Sequence, residues 1–357
     1  MNINLRETFK KCKYKFSGHG NNTIDVLKES FKNIPSEIDA DIYGEGHVIE
    51  NFENKIANLL GKDSARFYPS GTMAQQNALR VHCDEVGISK VILHPLAHLE
   101  KREEYGLKYL HNIDSILVGD ETRIYTLDDL KGIKERYSVV LLELPARDIG
   151  GEMPTWEELV AMSEYTKANN IRFHLDGARL WEAQPYYNRT LKEICSLFDS
   201  IYVSFYKGIG GVAGAILAGN SNFISQAKIW QRRYGGNLIS LYPYVIPANY
   251  YLEKRLGNMS KYWDCAKDCA ARLNKIDGVE TFPLIPKSNL FHVHIYKNKK
   301  EIESALNFIY KKISIGITPA LTKIGKKYKF EISMGDRYSS LSKIQLDEFF
   351  NLLEEKL

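Results

Sequence analysis

The fold of this 357-residue chain is decided by the stretch Asp199-Ser-Ile-Tyr-Val-Ser-Phe-Tyr-Lys-Gly-Ile-Gly-Gly-Val-Ala-Gly214. Its β-branched and aromatic run from Ile201 to Phe205 predicts a buried strand, which is followed by Lys207 and several glycines. A charged ammonium at the end of a buried strand is costly unless it is paired or used covalently. One interpretation is a Schiff base to a carbonyl cofactor, because desolvation leaves an amine nucleophilic. The other is a lysine that reaches water beside a glycine-rich turn.

A second apolar strand pattern, Ile171-Arg-Phe-His-Leu-Asp-Gly-Ala-Arg179, places Asp176 at its carboxyl end. Open α/β sheets bind their ligands at this end of parallel strands. An aspartate there can hold a proton on a pyridine nitrogen, which makes a pyridoxal ring an electron sink. Lys207 follows roughly thirty residues later, enough for one helix and one strand of a βαβ unit. Asp176 alone is also read as a helix N-cap, but its pairing with Lys207 favours the cofactor.

A third pattern, Phe67-Tyr-Pro-Ser-Gly-Thr-Met-Ala-Gln-Gln-Asn-Ala-Leu-Arg80, places Ser70-Gly-Thr72 before a strongly helical run. The free N–H groups and the dipole of a helix N-terminus bind anions, and a glycine lets a phosphate approach the backbone. Alone, this pattern is only an N-cap signal. Together, the phosphate site, the ring acid and the lysine follow the order of a pyridoxal-phosphate (PLP) enzyme.

Helical and strand patterns alternate from His47 onward, which is typical of a parallel sheet covered on both faces. The helix from His47 to Leu60 and the strand from Lys90 to Leu93 are examples. After Gly235 the pattern changes to a long helical region, Ala248 to Lys275, and then to short strands with helices between them. This C-terminal part is predicted to be a small α+β domain.

In its motifs and their order the chain resembles the threonine aldolase and β-eliminating lyase group of fold-type-I PLP enzymes. The similarity runs from about Tyr43 to about Pro247. It is carried by Tyr43-Gly-Glu45, Asn51-Phe-Glu53, Pro69-Ser-Gly-Thr-Met-Ala74, Ala97-His98, Gly150-Gly151, His174-Leu-Asp-Gly-Ala-Arg-Leu180, Lys207-Gly208 and Gly235-Gly236.

The resemblance implies an α/β chain of fold type I, with a mostly parallel seven-stranded sheet in the large domain and a smaller C-terminal α+β domain. We expect an N-terminal arm over residues 1–45, the large PLP-binding domain over 46–247 and the small domain over 248–357. Fold-type-I active sites are shared between subunits, so a homodimer or homotetramer is expected.

The resemblance also implies roles for individual residues. The residues implied to bind the cofactor are Ser70, Gly71, Thr72, His98, Asp176, Arg179 and Lys207. Catalysis falls to Lys207, which forms the Schiff base, His98, which stacks on the ring, and Asp176. Substrate contacts are assigned to Ser17, Arg179 and Glu143. Without the resemblance, His98 is also read as an ordinary core histidine.

Several substrate positions of the family are changed. Ala146 stands where threonine aldolases have the histidine that handles the substrate hydroxyl. Ile239 and Phe330 stand where arginines are expected, and Tyr206 replaces the serine before the lysine. An aldolase needs a base for the β-hydroxyl and a cation for the carboxylate. The cofactor groups are therefore kept while the substrate groups differ.

These observations predict a PLP-dependent lyase that acts at Cα–Cβ of a β-hydroxy or β-substituted amino acid, by retro-aldol cleavage first and β-elimination second. An aminotransferase or another PLP enzyme for a different amine remains an alternative, because the substrate positions are changed. A PLP-fold protein without turnover is a third, which intact Lys207 and Asp176 disfavour. No Gly-x-Gly-x-x-Gly follows the first predicted strand, which argues against NAD.

Composition is that of an ordinary globular enzyme. The formal net charge is +4 without a basic stripe, so we expect no nucleic-acid partner. The five cysteines lack metal-ligand spacing, so no metal is expected. No window has the length and apolarity of a signal peptide or a membrane span, so the predicted location is the cytoplasm without membrane association.

Overall fold

The computed structural model describes residues 4–20 and 23–357. The α-helices among them are α1 Leu5–Lys11, α2 Asp25–Phe31, α3 His47–Leu60, α4 Gly71–Val86, α5 His98–Lys101, α6 Gly106–His111, α7 Leu127–Lys131, α8 Trp156–Ala168, α9 Leu180–Tyr187, α10 Leu191–Ser196, α11 Ser221–Arg233, α12 Tyr242–Arg255, α13 Met259–Leu273, α14 Lys299–Ile313, α15 Asp336–Ser339 and α16 Lys343–Lys356.

The strands of the same residues alternate with these helices through most of the chain. They are β1 Tyr14–Lys15, β2 Ser64–Tyr68, β3 Lys90–Leu93, β4 Asp114–Leu117, β5 Val139–Glu143, β6 Arg172–Gly177, β7 Ser200–Ser204, β8 Ala215–Gly219, β9 Val279–Phe282, β10 Leu290–Ile295, β11 Ile315–Gly316, β12 Thr322–Ile324 and β13 Lys327–Ser333.

The chain divides into two compact units. The larger takes the described residues within Asn22–Asp148 and Met153–Gly257. The smaller takes the described residues within Met1–Asn21, together with Ile149–Glu152 and Asn258–Leu357.

The larger unit is built on one seven-stranded sheet with the order β2-β8-β7-β6-β5-β3-β4. The ladders that join β7, β6, β5, β3 and β4 are parallel, whereas β8 runs antiparallel to both β7 and β2. Every residue of β7 and β8 is buried, as expected for strands with helices on both faces. The predicted fold class, including the mostly parallel seven-stranded sheet, is confirmed.

The strand register brings three residues to one level at the carboxyl ends of the central strands. Glu143 of β5 lies opposite Asp176 of β6, and Asp176 lies opposite Tyr202 of β7. Because paired residues in a ladder point to the same face, these three side chains are neighbours. Helix α4 follows β2 and packs on this part of the sheet through a core that includes Ala74, Ala78 and Tyr202.

The smaller unit contains a four-stranded antiparallel sheet with the order β12-β13-β10-β9 and a short parallel pair of β1 with β11. Phe16, which is fully buried, packs against the rings of Tyr338, Phe349 and Phe350. This aromatic cluster joins the N-terminal segment to helices α15 and α16. An α+β unit was predicted for this part of the chain.

The division into units differs from the predicted boundaries at residues 45 and 247. Tyr14 pairs with Ile315, which joins the start of the predicted arm to the smaller unit. The rest of the arm joins the larger unit, where the Tyr250 hydroxyl donates to Glu29 at 2.8 Å and the Tyr251 hydroxyl to the Val26 carbonyl at 2.9 Å. These contacts between residues about two hundred positions apart leave no mark on local sequence patterns.

Among residues 4–20 and 23–357, no helix has the length and apolarity needed to cross a membrane. In the same part of the chain, no group of three or more His, Cys, Asp or Glu side chains is arranged to hold a metal ion. All five cysteines are free thiols.

The start of helix α12 depends on a carboxylate from a distant segment. Asp41 is fully buried, and its side chain accepts hydrogen bonds from the backbone N–H groups of Leu241 at 2.8 Å, Tyr242 at 2.7 Å and Gly44 at 3.2 Å. A carboxylate at a helix N-terminus satisfies donors that the helix leaves open. The predicted helix started at Ala248, six residues later, because the cap is supplied by a residue that is remote in sequence.

We expect Asp41→Ala to lower the free energy of unfolding by roughly 3 kcal/mol, because three buried N–H groups lose a charged acceptor. The melting temperature of the purified variant measures this. Asp39→Ala, two residues away and exposed, is the matched control and should melt with the natural protein. Equal melting temperatures for the two variants would show that Asp41 contributes nothing to stability.

Candidate active site

The Lys207 pocket lies in the larger unit, at the carboxyl ends of β5, β6 and β7. It is lined by Leu96, His98, Arg102, Glu143, Arg147, Asp148, Asp176, Arg179 and Lys207. Burial lowers the pKa of the Lys207 amine, and Arg179 lowers it further, while Asp176, Glu143 and Glu182 act in the opposite direction. A lysine with a lowered pKa has a larger share of neutral, nucleophilic amine at neutral pH.

Asp176 lies next to the last residue of β6, and it is 2% exposed. Its Oδ1 accepts a hydrogen bond from the Ala178 N–H at 3.1 Å, which fixes the carboxylate at the strand end. Burial raises its pKa, whereas the nearby charge of Lys207 and the Ala178 N–H favour the ionised form. The sequence-predicted acid and lysine are therefore held close to each other.

Glu143 lies beside Asp176 at the end of β5 and has an unusual acidity. Burial, with the negative charge of Asp176 second, raises its pKa to about 7, and Arg179 opposes this shift. The N–H of Arg147 donates to Glu143 Oε1 at 3.3 Å. Near neutral pH this carboxyl can therefore either donate or accept a hydrogen bond.

His98 is oriented by an acid that the sequence did not single out. Its Nδ1 lies 3.0 Å from Oε1 of Glu103, and the other oxygen of Glu103 accepts from the Gln76 side chain at 2.8 Å. Because a carboxylate only accepts, the hydrogen of a neutral His98 sits on Nδ1 and leaves Nε2 as an acceptor. The His98 side chain is 40% exposed and Glu103 2%, so the acid supports the histidine from behind.

Three arginines give the pocket a positive character. Arg102 lies 3.4 Å and Arg147 3.9 Å from the carboxylate of Asp148, and Arg179 follows Asp176 by three residues. Arg147 directly follows Ala146, which stands in the place of the family histidine. A guanidinium binds carboxylate and phosphate groups in a bidentate manner. The pocket therefore has a cation, Arg147, directly after one changed substrate position, Ala146.

The N-terminus of α4 is open in the way that a phosphate site requires. Its N-cap, Ser70, makes no side-chain hydrogen bond to the first turn, so the N–H groups from Gly71 onward have no side-chain cap. A methyl group at Gly71 would overlap the hydroxyl of Tyr202. Free N–H groups at the start of a sixteen-residue helix are suited to an anion.

Tyr202 links this helix end to the ring acid. It lies opposite Asp176 in the β6–β7 ladder, and its hydroxyl reaches Gly71. Tyr202 also interacts with Tyr206 through their hydroxyl groups, and its pKa is raised by burial, then by Tyr206 and Asp176. Asp176 thus lies on one side of Tyr202, and the backbone N–H groups at the start of α4 lie on the other. The amine of Lys207 is beside Asp176. These residues fit PLP.

The structure brings most of the predicted site residues together. The Lys207 pocket holds His98, Glu143, Asp176 and Arg179, and the Ser70–Thr72 turn is joined to it through Tyr202. Ser17 lies in the smaller unit, where its hydroxyl oxygen accepts from the Ser333 N–H at 3.3 Å, and its role toward substrate stays a prediction.

Sequence reasoning missed several side chains of the site. Glu103 follows His98 by only five residues, and its acid character was a usable signal. Tyr202 and Arg147 gave no such signal, because their roles depend on strand register and on the course of a loop.

Phe330, which stands where an arginine of the family is expected, pairs with Val293 in the β10–β13 ladder and is buried.

Comparison with known proteins assigns the family. The model of the β-eliminating lyase family matches residues 32–295. The chain belongs to this family. Low-specificity L-threonine aldolase 1 from Arabidopsis thaliana is 27% identical over 277 residues, and the match covers 74% of this chain and 76% of the plant enzyme.

Two solved structures resemble this lyase along nearly its whole length. A proposed L-allo-threonine aldolase from Listeria monocytogenes EGD-E has 49% identity and a TM-score of 0.98, and the match covers 99% of both chains. A proposed aromatic amino acid β-eliminating lyase/threonine aldolase from Exiguobacterium sp. 255-15 has 46% identity and a TM-score of 0.97, covering 99% of this chain and 100% of that one. The predicted relationship is confirmed, and with it the prediction of a PLP-dependent lyase.

We expect Tyr202→Phe to weaken PLP binding roughly tenfold, the equivalent of about 1.4 kcal/mol, because one hydroxyl at the start of α4 is lost. The measurement is a titration of cofactor-free protein with PLP. Tyr125→Phe removes another buried hydroxyl, which donates to the Leu141 carbonyl at 2.8 Å, and serves as control. An unchanged PLP affinity in Tyr202→Phe would remove Tyr202 from the cofactor site.

Proposed function

We propose that this chain is a PLP-dependent aldolase that cleaves the Cα–Cβ bond of a β-hydroxy-α-amino acid, with glycine and an aldehyde as products. The observation that carries the proposal is the meeting of an amine, a ring acid and an oriented histidine in one pocket: Lys207, Asp176 and His98. The names of the relatives, low-specificity L-threonine aldolase among them, support the same reaction class.

Three parts of the larger unit would hold PLP. The amine of Lys207 would bond to its carbonyl carbon, Asp176 would pair with its pyridine nitrogen, and the N–H groups at Gly71 and Thr72 would receive its phosphate. When bound, PLP supplies an electron sink for the pair of electrons released at Cα. Asp176 would keep the ring nitrogen protonated, because the Ala178 N–H fixes its carboxylate and, with the charge of Lys207, favours the ionised form.

Lys207 also has a second task as a proton carrier. Its amine is desolvated, so it can hold a proton or release it at a modest cost in free energy. We assign to it the proton that is delivered to Cα as glycine forms. Its neighbours Asp176 and Glu143 stabilise the charged state of this amine.

His98 and Glu103 replace the missing histidine as the base for the substrate hydroxyl. With Nδ1 bonded to Glu103, Nε2 is the atom that accepts the hydroxyl proton. The negative charge of Glu103 stabilises the imidazolium that results. This arrangement explains how Ala146 is tolerated at the family's histidine position.

The substrate carboxylate needs a cation, and we assign it to Arg179, with Arg147 as the second guanidinium of the same pocket. In the reaction the Cα–Cβ bond breaks and the β-oxygen becomes a carbonyl oxygen. The hydroxyl proton goes to His98, and Cα receives a proton from Lys207. Exchange with solvent then removes the extra proton from His98 and returns one to Lys207, so atoms and charge balance without an oxidant or a reductant.

We also propose that the protein forms a homo-oligomer. Three apolar side chains of the larger unit are exposed next to each other: Ile42 is 64% exposed, Tyr43 53% and Ile239 60%. The N–H of Tyr43 donates to the carbonyl of Ile239 at 2.9 Å, so they form one patch. Exposed apolar patches mark association sites.

The cytoplasmic location and the substrate role of Ser17 stay predictions.

We expect purified protein with PLP to show a visible absorption band that Lys207→Ala lacks, because the bond between amine and carbonyl produces that absorption. Absorption spectra of both proteins after PLP addition and gel filtration are the measurement. Lys167→Ala changes an exposed lysine of α8 and should leave the band intact. A band of full strength in Lys207→Ala would overturn the assignment of Lys207.

With L-threonine and L-allo-threonine as substrates, we expect release of glycine and acetaldehyde, measured by aldehyde trapping. Glu103→Gln should lower kcat at least tenfold while PLP binding is retained, because the base loses its orientation, and His98→Asn should lower kcat at least as much, because the base itself is lost. Keto acid without glycine would favour β-elimination instead, and conversion of PLP to pyridoxamine phosphate would favour an aminotransferase. Either outcome would contradict the aldolase proposal.

A further inference from the structure

Glu182 is a buried acid of the larger unit that the proposed mechanism does not use. It lies in the first turn of α9 and is 1% exposed. Neither of its carboxyl oxygens has a hydrogen-bond partner of ordinary geometry among the described residues. A buried carboxylate without a well-formed hydrogen bond is destabilising, so its presence in the fold requires an explanation.

The position of Glu182 supplies that explanation. Its carboxyl group packs directly on Gly208, the residue after Lys207, and a methyl group at Gly208 would overlap Oε1 of Glu182. Glu182 does not line the Lys207 pocket, so it reaches neither substrate nor cofactor from there. It therefore touches the backbone that carries the lysine, from behind the pocket.

The charges around Glu182 come from two segments. Arg179, the N-cap of its own helix, and Lys207, from the loop after β7, favour the ionised carboxylate, and so does the Gly208 N–H. Burial outweighs them and raises the pKa of Glu182 from 4.5 to about 7. Glu143 and Asp176 face Lys207 from β5 and β6, and both favour its charged form.

We propose that Glu182 is a positioning residue that sets the charge of Lys207 and fixes the backbone at Gly208. This inference rests on the proposed function, in which Lys207 carries PLP. An ionised Glu182 favours the ammonium form of Lys207, and a neutral Glu182 favours the free amine. A carboxyl that changes its charge near neutral pH thus adjusts the readiness of Lys207 to take or release a proton.

The direct test is Glu182→Gln, which keeps the shape of the side chain and removes its charge. In PLP-free protein, the rate at which an amine-directed acetylating reagent modifies Lys207 is followed against pH by peptide mass spectrometry. We expect the midpoint of this curve to move to lower pH, because a negative charge that favours the ammonium is gone. In PLP-loaded, substrate-free protein, the pH midpoint of the visible band should move in the same direction.

Glu53→Gln is the matched control. Glu53 is also a largely buried acid of the larger unit whose pKa burial raises to about 7, but its cation is Arg66, at 3.6 Å. Lys207 is not among the groups that act most strongly on the pKa of Glu53. In Glu53→Gln, the pH midpoint of Lys207 acetylation should equal that of the natural protein, even if the stability of the variant changes.

Stability supplies an independent readout with a definite sign. The folded pKa of Glu182, about 7, exceeds its ordinary value of 4.5. Its contribution to stability is therefore complete below pH 4.5 and is lost as pH rises through 7. Because glutamine does not titrate, the melting temperature of Glu182→Gln should rise relative to the natural protein between pH 5 and pH 8.

A steric test separates charge from packing. Gly208→Ala should weaken PLP binding at least tenfold, because the new methyl displaces the Glu182 carboxyl. Adding Glu182→Ala to Gly208→Ala restores the space, so the double variant should recover PLP binding. In the double variant, the pH midpoint of Lys207 acetylation should still be as low as in Glu182→Gln, because both variants lack the Glu182 charge.

The outcomes distinguish this inference from the proposed function. If Lys207→Ala loses the visible band but Glu182→Gln leaves both midpoints unchanged, the role of Glu182 is overturned and that of Lys207 stands. If the band persists in Lys207→Ala, the proposed function fails. A midpoint shift in Glu182→Gln that Glu53→Gln reproduces would also overturn the inference, because the effect would not be specific to Glu182.

Discussion

Desolvation of charged groups at the carboxyl ends of β5, β6 and β7 is the constraint on which this structure depends. Burial lowers the pKa of Lys207 and raises those of Asp176 and Glu143, while the attraction between the amine and the acids opposes both shifts. The seven-stranded sheet provides the buried environment, and its register brings Glu143, Asp176 and Tyr202 to one level. A one-residue slip in either ladder would turn one of these side chains to the opposite face. The reactive state of the lysine is therefore a consequence of sheet geometry.

The same geometry places other polar side chains near one of the changed substrate positions of this family member. A histidine is absent at Ala146, but His98 is held by Glu103, and Arg147 brings a guanidinium into the pocket from the next position. Both side chains come from elements that follow strands of the sheet: His98 from a short helix after β3 and Arg147 from the loop after β5. The cofactor groups allow no such exchange, because amine, acid and phosphate donors must match one rigid molecule at three points.

Sequence patterns predicted much of this structure. The helix His47–Leu60 and the strand Lys90–Leu93 appear with the predicted ends, because Gly61 caps the helix in the left-handed conformation that favours glycine and the strand is a short apolar run. Helix α12 begins earlier than predicted, since its cap is Asp41, two hundred positions away. Glu103 and Glu182 are further examples: each is one acid among many in the sequence, and only burial beside His98 or Gly208 distinguishes it.

By itself, the sequence determined the family and the fold class and predicted the three parts of the cofactor site, because an apolar strand that ends in Lys207, another that ends in Asp176 and an open helix start at Ser70–Thr72 are local features in a fixed order. Only the tertiary structure decided what surrounds them. The pairing of His98 with Glu103, the link from Tyr202 to Gly71 and the contact of Glu182 with Gly208 join residues through strand register and helix packing. The energies of these contacts depend on burial, which is a property of the folded chain and not of any local segment.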